Sequence, residues 1–167
     1  TVVNEICTKL ITRHTHVFGE EQAGDVDEAL TNWEKNKKKE KGLKTYSDML
    51  NDVPHYYPAL MRAEKVQKKA KGVGFDWDNV NDVYKKVEEE ICELKEASDN
   101  ESLQRIEEEY GDLLFAVVNL GRFLDVTPEI ALTKASEKFI KRFSAMEKEA
   151  VKAEKDLADM TLDEMDD

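Results

Sequence analysis

Residues 101–124 read ESLQRIEEEYGDLLFAVVNLGRFL. Apolar side chains fall at Leu103, Ile106, Tyr110, Leu113, Val117, Leu120 and Leu124, with gaps that alternate three and four. That spacing keeps them on one stripe of an α-helix, the seam of a helical bundle. Downstream, a helix from Pro128 to about Lys155 repeats the pattern with Leu132, Ala135, Phe139, Phe143 and Met146. Thr127 and Pro128 suit its N-cap and first turn. Upstream, Asn79–Ala97 forms the first of these three long helices, with Ser98–Asn100 as the connection and Asn100 as the N-cap of the second.

Nearer the start, the expected helices are Val2–Arg13, Val26–Lys41 ended by Gly42, and one from Pro58 to about Lys71. Residues 14–25, 44–57 and 72–79 read as loops, the last with Phe75 and Trp77 exposed. No strand pattern is left over. The fold class is all-α, with a C-terminal bundle that a second copy of the chain would complete. Residues 1–57 are expected to be the remnant of a preceding unit plus a linker, and residues 58–167 the complete C-terminal domain.

The composition agrees. Among 167 residues only 7 are Gly and 3 are Pro, too few breakers for a fold of short strands and turns. Lys plus Arg number 25 against 37 Asp plus Glu, a net charge of −12 that argues against a general nucleic-acid-binding surface. The charge is lopsided: residues 1–74 hold 13 basic and 11 acidic side chains, residues 75–167 hold 12 and 26. An acidic half of that strength repels polyanions or binds cations. No run approaches the roughly 18 apolar residues of a membrane span. Cys7 and Cys92 sit in no CxxC pair, as expected of a reduced, cytoplasmic protein.

The chemistry lies where the seam is interrupted. In the first long helix the apolar stripe runs Val83, Val87, position 90, Leu94, and position 90 is Glu90. Glu93 follows one turn on, and Glu89 flanks the same face. The next helix offers a second pair at the same spacing, Glu109 and Asp112, with Ala116 and Asn119 continuing their stripe. A lone Glu on a charge-rich helix is ordinarily a solvated charge. Two matched i, i+3 pairs on consecutive helices point instead to convergence. Converging carboxylates repel unless a cation neutralises them. A set of oxygen ligands without His or Cys suits a hard ion, Mg²⁺ or Mn²⁺. A ferritin-like di-metal site is disfavoured, because the Glu-x-x-His pairs are missing and His14, His16 and His55 lie elsewhere.

Lys138 and Arg142 stand i, i+4 on the third helix, and Lys86 precedes Glu90 by one turn. Carboxylate-held Mg²⁺ facing such cations is what a di- or triphosphate requires. The plain alternative for Lys138 and Arg142 is a solvated face, or pairing with Glu137 or Glu147.

Glu89-Glu90-Ile91-Cys92-Glu93 followed by Glu109-Tyr110-Gly111-Asp112 resembles the EExxE…ExxD signature of MazG nucleoside triphosphate pyrophosphohydrolases. PALMRAEKVQKKAKGVGFDW (58–77), GDLLFAVVNLGRF (111–123) and EKFIKRF (137–143) are similar to that family as well, so the resemblance covers nearly the whole chain. It implies an all-α NTP pyrophosphatase fold, usually a homodimer, with Mg²⁺ at Glu90, Glu93, Glu109 and Asp112. It also implies triphosphate contacts from Lys86, Lys138 and Arg142; Asn119 is a further substrate-binding candidate and Glu89 a further catalytic one. The implied activity is hydrolysis of nucleoside triphosphates to monophosphate and pyrophosphate with broad base use. Alternatives are a dUTP/dCTP-type pyrophosphatase on the same fold and a non-catalytic helical dimerisation module. Two departures stand out. Residues 1–45 resemble the tail of a first MazG repeat and its linker, without that repeat's acidic motif. The short Trp-bearing tail usual after the last helix is absent.

Overall fold

The computed structural model describes residues 1–19, 24–25, 29, 32–33, 36–37, 40, 42, 44–100 and 102–166. The expected helix Val26–Lys41 lies largely outside the described residues. Every described element is helical, as the seam spacing requires, and no strand occurs among the described residues. Two compact units are present, one of residues 1–55 and 69–75, the other of residues 56–68 and 76–167.

In the first unit, α1 (Val2–Arg13) matches its expected bounds. Two stretches expected to be loops carry short helices, α2 (Thr15–Phe18) and α3 (Tyr46–Asn51). The signal for α3 is a capping box. The Thr45 hydroxyl accepts from the Asp48 N–H at 3.0 Å, and the Asp48 carboxylate accepts from the Thr45 N–H at 2.8 Å. That reciprocal pair satisfies donors a six-residue helix would otherwise leave bare.

The second unit contains most of α4 (Ala59–Lys71), then α5 (Val80–Asn100), α6 (Leu103–Phe123) and α7 (Pro128–Lys152). A 3₁₀ turn (Leu157–Asp159) and α8 (Leu162–Asp166) follow. Helix α5 runs through the expected connection at 98–100. The cap of α6 is accordingly Ser102, whose hydroxyl accepts from the Arg105 N–H, rather than Asn100. A two-residue link forces α5 and α6 into an antiparallel hairpin. Helix α6 ends with Asp125 in the left-handed region (φ 54°) and the Val126 N–H donating to the Gly121 carbonyl at 2.8 Å. This is a Schellman end. A Cβ at Gly121 would sit 3.3 Å from both Pro128 Cγ and the Val126 carbonyl, so a side chain there would crowd the turn into α7.

Two contacts fix how α4 lies on α6. Gln67 Nε2 donates to the Phe115 carbonyl at 2.8 Å, and Arg122 donates to Asp76, beyond the C-terminal end of α4, at 2.9 Å. Both chains advance in the same direction between these contacts, so α4 runs parallel to α6. The Arg122 guanidinium is nearly buried, forks onto both Asp76 oxygens, and also donates to Asn119 Oδ1 at 3.1 and 2.7 Å. Forked Arg–carboxylate pairs are strong and geometrically demanding. Arg122→Met should therefore cost about 2 kcal/mol, less than a fully buried pair because Asp76 keeps some solvent. A melting-temperature loss of about 4–8 °C would register it.

The expected seam divides on folding. Ile106, Leu113 and Leu120 are half-buried and Ala116 is buried. Leu103, Tyr110, Val117 and Leu124, seven residues apart, stay exposed, as do Leu132, Phe139 and Phe143 of α7. Among the described residues, these positions leave large apolar side chains on the outside of α6 and α7. No described helix is long and apolar enough to cross a membrane.

Candidate metal centre

Helix α5 buries Val83, Ala97 and, between them, Glu90, which is only 6% exposed. Helix α6 buries Glu109 to 3%. The hairpin brings these two carboxylates and the exposed Asp112 together, with one oxygen of each within 4.8 Å of the others. Burying two carboxylates side by side is costly unless they are neutralised.

Part of the neutralisation is internal. Lys86 Nζ lies 2.8 Å from Glu90 and 2.7 Å from Glu89, and Arg105 pairs with Glu109 and with Glu108. Each buried carboxylate thus has a cation four residues before it on its own helix. The two acceptors push the Lys86 ammonium pKa well above its usual range, Glu89 first and then Glu90. What remains is Glu90 Oε2, buried with no hydrogen-bond partner. An orphaned carboxylate oxygen beside Glu109 and Asp112 fits a hard divalent cation, for which carboxylate oxygens are the natural ligands.

Glu93 is exposed one turn along α5 and is not within that tight group. Its carboxyl pKa is nonetheless raised, first by partial desolvation, then by the charge of Glu90, with Lys86 opposing and Glu109 and Glu89 adding. It stands at the rim of the same negative field. Glu89, also exposed, is held on Lys86. Asn119 is tied by its carbonyl to Arg122. Lys138 and Arg142 are exposed on α7; no hydrogen bond or ion pair joins them to the carboxylates, nor do they pair with Glu137 or Glu147.

Two features escaped the sequence reading. Arg105 stands to Glu109 as Lys86 does to Glu90, a spacing visible in the sequence. On α4, Glu64 and Gln67 are buried, in line with Leu60 and Ala63 on the core side. Polar residues in an i, i+3 register with apolar ones were the available signal.

Lys86→Met tests the internal neutralisation. Without metal the variant should lose about 1 kcal/mol, since the ammonium is partly solvated, or about 2–4 °C. Added Mg²⁺ should raise its melting temperature by more than that of the parent.

Residues 79–147 match the MazG nucleotide pyrophosphohydrolase domain. The chain is 47% identical over 146 residues to the nucleoside triphosphate pyrophosphohydrolase/pyrophosphatase MazG of Thermotoga maritima, covering 87% of this chain and 54% of that protein. It is 44% identical over 153 residues to the nucleoside triphosphate pyrophosphohydrolase of Escherichia coli K12, covering 87% of this chain and 57% of that one. An uncharacterised Bacillus subtilis protein, YabN, is 44% identical over 99% of this chain and 34% of its own length. The chain thus spans little more than half the length of the two pyrophosphohydrolases. The matched domain contains the whole α5–α6 hairpin with Glu90, Glu109 and Asp112, so it is residues 79–147 that carry the likeness to the MazG domain.

Proposed function

We propose that the chain hydrolyses nucleoside triphosphates to nucleoside monophosphate and pyrophosphate, with Mg²⁺ or Mn²⁺ as the required ion and with broad base use. The observation that carries this reading is the orphaned, buried Glu90 oxygen beside Glu109 and Asp112. A scaffold helix has no reason to leave it so. The names of the two pyrophosphohydrolase relatives support the reading.

Glu90, Glu109 and Asp112 would hold the ion, with Glu93 completing the set from the rim. Bound there, Mg²⁺ supplies charge neutralisation for phosphate oxygens and a water of lowered pKa. Water attacks the α-phosphorus and pyrophosphate leaves. Glu89, at the solvent edge, orients the water, and Lys138 and Arg142 bind the departing phosphates. Because α7 is exposed along its apolar stripe, we place these cations at the active site only in a homodimer, where the surplus stripes of α6 and α7 are covered. Two free, exposed thiols fit a reduced, cytoplasmic setting.

A product assay over all NTPs and dNTPs, separating pyrophosphate from orthophosphate, tests the activity. Orthophosphate as the first product would overturn it. Calorimetry with Mg²⁺ and a non-hydrolysable NTP separates a dimerisation module, which would show no metal-dependent nucleotide binding.

A further inference from the structure

Gln67 lies on α4, has no role in the metal centre described above, and is 6% exposed. Its carboxamide orientation is set by its one partner. The Phe115 carbonyl can only accept, so the Gln67 nitrogen faces it, at 2.8 Å. The carboxamide oxygen Oε1 is left buried with no hydrogen-bond partner. An unmet buried acceptor costs on the order of a neutral hydrogen bond or more, and is kept where something outside the chain supplies the donor.

The position identifies that donor. Phe115 is one turn beyond Asp112 on α6, on nearly the same side. Ala116, next on the Glu109–Asp112 stripe, is small and buried under neighbouring atoms. Because α4 runs parallel to α6, Glu64, one turn before Gln67 and also buried, falls level with the Asp112 turn. Helix α4 therefore carries two buried polar side chains, of which Gln67 bonds the α6 backbone one turn beyond Asp112. A triphosphate held at that centre would extend its nucleoside beyond it by about 5 Å or more, the length of one helical turn.

Resting on the reading of the site as a nucleoside triphosphate centre, we infer that Gln67 Oε1 accepts a hydrogen bond from the nucleoside half of the substrate. The donor is an N–H of the base edge or a hydroxyl of the sugar. Every standard base carries an N–H donor, so one fixed acceptor is compatible with broad base use. It penalises only nucleotides that lack the donor, because a site built to hydrogen-bond a group rejects the analogue without it.

Equilibrium binding with Mg²⁺ present tests this on the full chain. The probes are α,β-methylene ATP and three analogues, lacking respectively the 6-amino group, the 2′-hydroxyl and the 3′-hydroxyl. The parent should bind one analogue about 10- to 100-fold more weakly than α,β-methylene ATP. Which analogue it is tells base from sugar. In Gln67→Met, similar in volume, that ratio should fall to near one. Equal binding of all four probes by the parent would overturn the proposal and indicate a water on Oε1. So would an unchanged ratio in Gln67→Met. Should Gln67→Met not fold, the analogue ratios of the parent alone decide. Hydrolysis of ATP by the parent is scored separately. Tight, donor-dependent binding without hydrolysis would defeat the proposed activity and leave the Gln67 contact standing, whereas hydrolysis without donor dependence would do the reverse.

Discussion

Glu109→Gln is expected to lower kcat/KM for NTP hydrolysis by more than about 100-fold, because disturbing merely the partners of a metal ligand already costs 10–100-fold. Glu90→Gln and Asp112→Asn should do the same, and Glu93→Gln should follow if it completes the set. Near-normal rates in both Glu90→Gln and Asp112→Asn would sink the metal assignment. The fold should not suffer in parallel. Glu109 is 3% exposed and adds to a field that already disfavours charge on Glu93. Removing its charge relieves that field, while Arg105 retains Glu108. Without metal, the melting temperature should hold level or rise.

The pH dependence has a defined sign. A carboxyl whose pKa is raised on folding binds its proton more tightly in the native state. Stability is then fully present below the ordinary carboxyl value of 4.5 and declines as pH rises through the raised value of Glu93. In Glu109→Gln, and more so in Glu90→Gln, that decline should shrink. Denaturant titrations of the metal-free protein across pH 4–7 measure it.

Arg142→Ala is expected to reduce kcat/KM by roughly 10- to 150-fold, the worth of one charge-assisted contact of about 1.5–3 kcal/mol. Metal binding should be spared. Lysine should rescue position 142 only in part, because an ammonium cannot make the forked contact of a guanidinium. The exposed Lys152 and Lys155, further along, are engaged with Glu149 and Glu164 and serve as controls. Equal small effects at Arg142 and Lys155 would reduce α7 to scaffold and move the phosphate site to Lys86 or to Arg62–Lys71.

The helices were legible where the 3–4 spacing is long. The bounds of α1 and α4, and the start of α7, follow from apolar periodicity and from Pro and Gly positions. The short α3 was not, because six residues carry too little periodicity and only the Thr45–Asp48 box marks it. Of the site, Glu90 stood out because it interrupts an apolar stripe. Glu109 and Asp112 were reached by their matching spacing. Gln67 was readable only in part: its register with Leu60 and Ala63 is local, but that this face is covered depends on α4 packing against α6. Seam membership along α6 was only half readable, since spacing places Tyr110 and Leu113 on one stripe but does not tell which side a single chain can cover.

The Lys86–Glu90 and Arg105–Glu109 pairs hold both buried carboxylates half-neutralised before any ion arrives. An ion taken up on the free Glu90 oxygen is therefore held less tightly than bare carboxylates would hold it. The same pairs keep the hairpin closed each time the ion departs, so an empty site remains a folded one.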